Sequence, residues 1–293
     1  MTKFEKYFIA NSIDYSNKTV AITGATGSLG FYIAKYTMIK NAKLVLIGRN
    51  ISKLEATKND LLLLNKNADI TLLKCDFSNV LETKKLAELL QNLQIDYLFN
   101  NAGCYHLPVK MNEQFDITYI TNYFSPIYLT NYLCRLNKNL VVVQTGSLSY
   151  KFSKIKIQDF QSLKKSKMIR YANSKRLLAL TSLKLQKKYN NSLYLTHPGV
   201  SATGLFSSSK GGVGKAFSKI ILPIMKVLFM KPEKAALCIA LAPSYTYKKG
   251  ITIGPRGLFE IWGYPKQRNL TYNKFSRKEK DNIDDIISKT FNF

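Results

Sequence analysis

Three observations predict an α/β fold built on one doubly wound parallel sheet with helices on both faces. Short apolar runs rich in β-branched residues alternate with stretches of helix length. The runs are mostly apolar along their length rather than at every second position, as strands covered on both faces must be. The first run also passes directly into a glycine-rich turn and a helix, the opening of a βαβ unit. With 293 residues, 46% of them apolar and 12% aromatic, the chain can bury a core of that size.

In chain order the expected strands are TVAIT (19–23), KLVLI (43–47), ITLLK (70–74), DYLFN (96–100), LVVVQT (140–145) and SLYLT (192–196). The segments between them have helical length and composition, and ligands are expected at the carboxyl ends of the strands. No repeat, low-complexity linker or domain boundary interrupts this rhythm. Residues 18–293 therefore read as a single domain and residues 1–17 as an N-terminal extension.

The cysteines, Cys75, Cys104, Cys134 and Cys238, are far apart, with no C-x-x-C and no histidine cluster, so neither a disulfide framework nor a metal site is expected. A reducing cytoplasm is the simplest setting. Asn11, Asp14 and early lysines interrupt the start of the chain, which lacks the apolar core of a signal peptide. A formal charge of +26 favours contact with an anion. Lys, Asn and Ile are abundant throughout, which favours compositional bias over a built patch. Residues 151–188 stand out, with twelve Lys or Arg against Asp159 alone, but no nucleic-acid motif accompanies them, so no nucleic-acid partner is expected.

Between the first strand and the helix FYIAKYTMIK lies TGATGSLG (23–30). Gly24, Gly27 and Gly30 let the backbone turn tightly and approach a pyrophosphate, which amides at the helix N-terminus can hold. Gly24, Thr26, Gly27, Ser28, Leu29 and Gly30 are thus the candidate phosphate-binding residues of a Rossmann-type dinucleotide site. After the second strand, where an NAD site carries an acidic residue for the ribose, the sequence has Arg49-Asn50. A guanidinium pairs with a 2′-phosphate that a carboxylate would repel, so NADP(H) is favoured over NAD(H). Asp76, after the third strand, suits two roles: partner of the adenine amino group or cap of the next turn.

YANSK places Tyr171 and Lys175 four apart, on one face of an expected helix. A free tyrosine, with a pKa of about 10, is a poor base at neutral pH. A neighbouring ammonium stabilises the phenolate and makes the phenol usable as a general acid or base.

TGATGSLG, NNAG (100–103), Asn122, Ser147 in VVVQTGSLS, YANSK and HPGVSATGL (197–205) occur in this order. The combination resembles the short-chain dehydrogenase/reductase family of classical type, over nearly the whole chain from residue 18. The gap between Ser147 and Tyr171, with IQDF inside it, PEKAALCIALAP and GPRGLFEIWGYPK look most like the retinol-dehydrogenase-like branch. The resemblance implies that Tyr171 is the acid/base and that Ser147 hydrogen-bonds the reacting oxygen. Lys175 would hold the nicotinamide ribose and depress the tyrosine pKa, and Asn122 would position a water behind it. Asn101, Ala102 and Gly103 would pack on the adenine-side ribose, and Pro198, Gly199, Val200 and Thr203 would cover the nicotinamide. One departure is visible: the family pattern is TG-x-x-x-G-x-G, whereas here the middle glycine falls one place early, at Gly27, as in the family's extended branch.

SSSKGGVGKAFSK (207–219) reads like a P-loop, but no strand precedes it and Ala216 stands where the magnesium-binding Ser or Thr is needed. ATP hydrolysis is not expected, and the segment falls in an expected substrate lid at 205–232. Within that lid FSKIILPIMKVLFM (217–230) is too short to span a bilayer and is broken by Pro223 and Lys226. A lid over a lipophilic substrate, ordinary core packing, a homo-oligomer contact and a peripheral contact with anionic lipid all stay open for it. His106 and Cys104 lie close to the expected cleft, and His197 falls where the resemblance has a structural residue. The expected function is an NADP-dependent oxidoreductase of a lipophilic alcohol or carbonyl compound, cytoplasmic, with attachment to a membrane surface left open. A non-catalytic NADP-binding regulatory module is the alternative, and the joint presence of Asn122, Ser147, Tyr171 and Lys175 favours catalysis.

Overall fold

The computed structural model describes residues 1–105, 111–112, 115–153, 166–200, 230–270, 275–281 and 283. Its strands are β1 Thr19–Thr23, β2 Lys43–Gly48, β3 Ile70–Lys74, β4 Tyr97–Asn100, β5 Met111–Asn112, β6 Phe115–Asp116, β7 Val141–Thr145, β8 Leu193–Thr196, β9 Ile251–Pro255 and β10 Pro265–Asn269. Its helices are α1 Lys3–Asn11, α2 Ser28–Ile39, α3 Ile51–Leu64, α4 Val80–Asn92, α5 Ile117–Tyr119, α6 Ser125–Leu136, α7 Lys167–Lys188 and α8 Pro232–Ala240. The main sheet runs β10-β9-β8-β7-β4-β1-β2-β3, and β5 and β6 form a separate ribbon. Every neighbouring pair in the main sheet is parallel except β9 with β10.

From β1 the chain builds outward through β2 to β3, then returns to lay β4 on the other side of β1. That reversal opens a crevice at the carboxyl ends of β1 and β4, the place where doubly wound sheets bind ligands. Successive side chains of β1 serve opposite cores: Val20 and Ile22 pack with Phe8, Ile33 and Leu237, while Ala21 packs with Leu86, Leu129 and Leu180. The first core lies under α1, α2 and α8, the second under α4, α6 and α7.

All six expected strands form, with ends that agree to within a residue. β3 departs from the expectation of full burial: it pairs with β2 alone, and Thr71 and Lys74 are exposed. β9 and β10 were not expected, because β9 carries Gly254 and Pro255 and β10 has the polar sequence of an edge strand. The span 1–17 contains α1, started by a capping box in which Thr2 and Glu5 exchange side-chain bonds. Phe4 and Phe8 bury this helix against the domain. Among the described residues no helix is long and apolar enough to cross a membrane. The expected lid at 205–232, including the P-loop-like segment, lies outside the described residues except for residues 230–232, as do His106 and Thr203.

Candidate active site

A cavity of about 630 Å³ opens at the carboxyl ends of β1 to β4. Gly24, Thr26, Gly27, Ser28 and Leu29 form one wall, Arg49 and Asp76 follow β2 and β3, and Asn101, Ala102 and Gly103 follow β4. Gly30 lies behind this wall. A Cβ there would stand 2.3 Å from the Gly24 carbonyl oxygen, so its role is to let α2 close onto the turn. Gly24 has φ +65°, and a Cβ on it would come within 2.8 Å of the Ala102 Cα. Gly24→Ala should therefore lower the unfolding free energy by about 2 kcal/mol and weaken dinucleotide binding with it, read by chemical denaturation and cofactor titration.

The residues fit a dinucleotide. The N-terminus of α2 begins at Gly27 without a side-chain cap and without an acidic residue in its first turn, leaving amides and the positive end of the helix dipole directed at the cavity. Asn101 stitches the β1 turn to β4: its backbone N–H donates to Thr23 Oγ1 at 2.9 Å and its Nδ2 to the Thr23 carbonyl at 3.1 Å. For Asp76 the structure supplies the turn-capping role, since Oδ1 accepts from the Ser78 N–H and hydroxyl at 2.9 and 2.8 Å, while the residue still borders the cavity. Asn50 caps α3 by accepting from the Lys53 N–H, so Arg49 alone of that pair lies on the cavity. Cys75, Phe77, Thr121 and Ile117 also line the space and were not read from the sequence. The first two adjoin Asp76; the last two come from α5 and the π-helical turn Ile120–Phe124, which no local pattern announced.

Beside the cavity the chain brings Ser147, Tyr171, Lys175 and Asn122 together. Asn122 sits in the π-turn, a geometry often found at functional sites. It is fully buried: Oδ1 accepts from the Cys104 N–H at 2.8 Å, and Nδ2 donates to the Cys104 carbonyl at 2.9 Å and to Ser174 Oγ at 3.1 Å. Both amide protons are thus committed, leaving only an Oδ1 lone pair for a water. Lys175 Nζ donates to the Thr145 carbonyl at 2.8 Å and stands 6.0 Å from the Tyr171 ring centre. A Cβ on Gly103 would lie 3.6 Å from Nζ, which puts the ammonium at the cavity wall.

Burial pushes the Tyr171 phenol up to about 12, and the Ser147 hydrogen bond pulls it back in part. Burial also lowers the Lys175 ammonium to about 8. The Tyr105 ring meets Tyr171 edge-on at 4.8 Å and fixes the plane of the phenol. Cys104, on the cavity wall, is pushed up to about 11 by burial and is no thiolate at neutral pH.

Pro198, Gly199 and Val200 do not border the cavity. Gly199 turns at φ +74°, and Val200 is tied by backbone bonds to Ile261 and Met230. His197 is structural, as expected: Nδ1 accepts from the Gly199 N–H at 3.3 Å, which makes Nε2 the donor to Glu260 Oε2 at 2.8 Å. Burial lowers the His197 pKa. Glu260 also pairs with Lys151 at 2.8 Å, and these partners hold its carboxyl down at about 2. Among the described residues no cluster of ligating side chains could hold a metal.

Residues 18–162 match the family model described as short chain dehydrogenase. Over 272 residues the chain is 28% identical to the short-chain dehydrogenase TIC 32 B, chloroplastic, of Brassica napus, covering 83% of this chain and 81% of the relative. It is 27% identical over 199 residues to retinol dehydrogenase 12 of Homo sapiens, with 64% and 63% covered. A crystal structure of an uncharacterized protein from Mycobacterium Paratuberculosis superposes with a TM-score of 0.73 at 20% identity, covering 96% of this chain and 95% of that one.

Proposed function

The chain belongs to the short-chain dehydrogenase family and is a nicotinamide-dependent oxidoreductase, and from that premise we propose that it acts with NADP(H) on a lipophilic alcohol or carbonyl compound. The observation that carries this reading is the meeting of Ser147, Tyr171, Lys175 and Asn122 beside a cavity with an uncapped helix N-terminus. Gly24 to Leu29 would cradle the pyrophosphate and Arg49 the 2′-phosphate. The dinucleotide, when bound, supplies or accepts the hydride.

The protein's own part is to bind the substrate oxygen and move a proton. Ser147 Oγ and the Tyr171 hydroxyl share a hydrogen bond and so can both donate to one oxygen placed against them. The Tyr171 phenol keeps its proton at neutral pH, the protonation state that carbonyl reduction requires of the acid. The exposed Phe152, Leu258 and Phe259 lie in the turns tied together by the Lys151–Glu260 pair and offer an apolar approach, which supports a lipophilic substrate. The four cysteines are unpaired.

Purified protein mixed with NADPH and a panel of lipophilic aldehydes and ketones should oxidise the cofactor with at least one of them, followed by its absorbance. NADPH binding without turnover anywhere on the panel would instead identify a non-catalytic binding module.

A further inference from the structure

Arg176 follows Lys175 directly on α7, and its buried guanidinium joins two distant parts of the chain. Nε and Nη2 fork onto the Glu279 carboxylate at 2.5 and 3.0 Å, and Nη1 donates to the Tyr150 carbonyl at 3.0 Å. The Phe275 ring lies 4.8 Å from the guanidinium carbon. Glu279 is itself fixed, its Oε2 accepting from the Ser276 N–H and hydroxyl at 2.9 and 3.0 Å. Tyr150 belongs to the 3₁₀ turn Leu148–Phe152, whose N-cap is Ser147.

We propose that Arg176 is a positioning residue: anchored on Glu279, it fixes the turn at 148–152 through the Tyr150 carbonyl and so sets the Ser147 hydroxyl against the Tyr171 phenol. This rests on the catalytic reading of Ser147 and Tyr171 given above. The planar fork is what the arrangement needs, because three donors in fixed directions define both the distance and the orientation of the turn relative to α7. The turn's other tether, Lys151 to Glu260, is partly exposed and joins a flexible ammonium, so it constrains less. A lysine at 176 would keep the charge facing Glu279 and lose the simultaneous reach to Tyr150. Because the Ser147 bond lowers the Tyr171 pKa, a loosened turn leaves the phenol less acidic.

The test compares wild type, Arg176→Lys and Glu279→Gln in three readings: steady-state turnover against pH, NADPH affinity, and backbone hydrogen exchange over 148–152. Both variants should exchange faster in that turn, lose about tenfold in kcat with NADPH affinity nearly unchanged, and show the ionisation governing kcat displaced to higher pH. Wild-type exchange in the turn, or faster exchange with kcat and pH profile intact, would overturn the proposal. Should Arg176→Lys fail to fold, Glu279→Gln gives the same three readings. A wild type that turns over no carbonyl overturns the catalytic reading itself, an outcome separate from an active wild type with indifferent variants.

Discussion

Tyr171→Phe is expected to lower turnover by about a hundredfold or more while leaving NADPH affinity within about twofold of wild type. The substitution removes one hydroxyl and keeps the ring, so the edge-on contact with Tyr105 and the packing around α7 survive. The phenol does not border the dinucleotide cavity, which is why binding should be spared. What disappears is the proton. Ser147 can still donate to the substrate oxygen, yet a serine hydroxyl is too weak an acid to complete the transfer. A single-turnover measurement with NADPH, paired with cofactor titration, separates these effects. Retention of more than about a tenth of wild-type turnover would mean that the proton comes from another group.

The sheet was legible because a strand covered on both faces has to be apolar throughout, and β1, β2, β4, β7 and β8 are central strands of that kind. β10 lies at the edge, where Lys266 and Arg268 need no apolar cover, so its sequence carries no strand signal. The glycine turn was legible because backbone geometry selects residue type directly: Gly24 has both a positive φ and a neighbour too close for a Cβ. Groups assembled by long-range contact were not. The buried pair Arg170–Asp116 joins the start of α7 to the N-cap of α5 at 2.5 Å, and Arg176–Glu279 spans 103 positions. Nothing local marks either partner. These pairs also change the meaning of the basic run 151–188. Arg170 and Arg176 are committed to buried carboxylates, Lys151 to Glu260 and Lys175 to the Thr145 carbonyl, so part of that positive charge serves the interior and is no anion-binding surface.

The proposed preference for NADP(H) rests on a single exposed side chain, Arg49. Arg49 stands at the end of β2 on the edge of the cavity, and its neighbours Gly48 and Asn50 offer no carboxylate for a pair of ribose hydroxyls. Asn50 is occupied as the cap of α3, and Asp76 has one oxygen held by Ser78. Arg49→Asp removes a charge-assisted hydrogen-bond donor and introduces an anion where the 2′-phosphate would sit. Loss of a charged hydrogen bond costs roughly 1.5 to 3 kcal/mol, so NADPH affinity should drop by at least about tenfold, before repulsion is added. The same carboxylate can accept from both ribose hydroxyls, so NADH affinity should rise and the preference between the two cofactors should reverse. Exposure of the site limits the repulsion through salt screening, and the reversal should therefore be sharper at low ionic strength. Fluorescence titration of wild type and variant with both cofactors, at two salt concentrations, reads this directly. Equal NADPH affinity in the two proteins would place the guanidinium in solvent and send the search for the phosphate partner to another residue of the cavity wall.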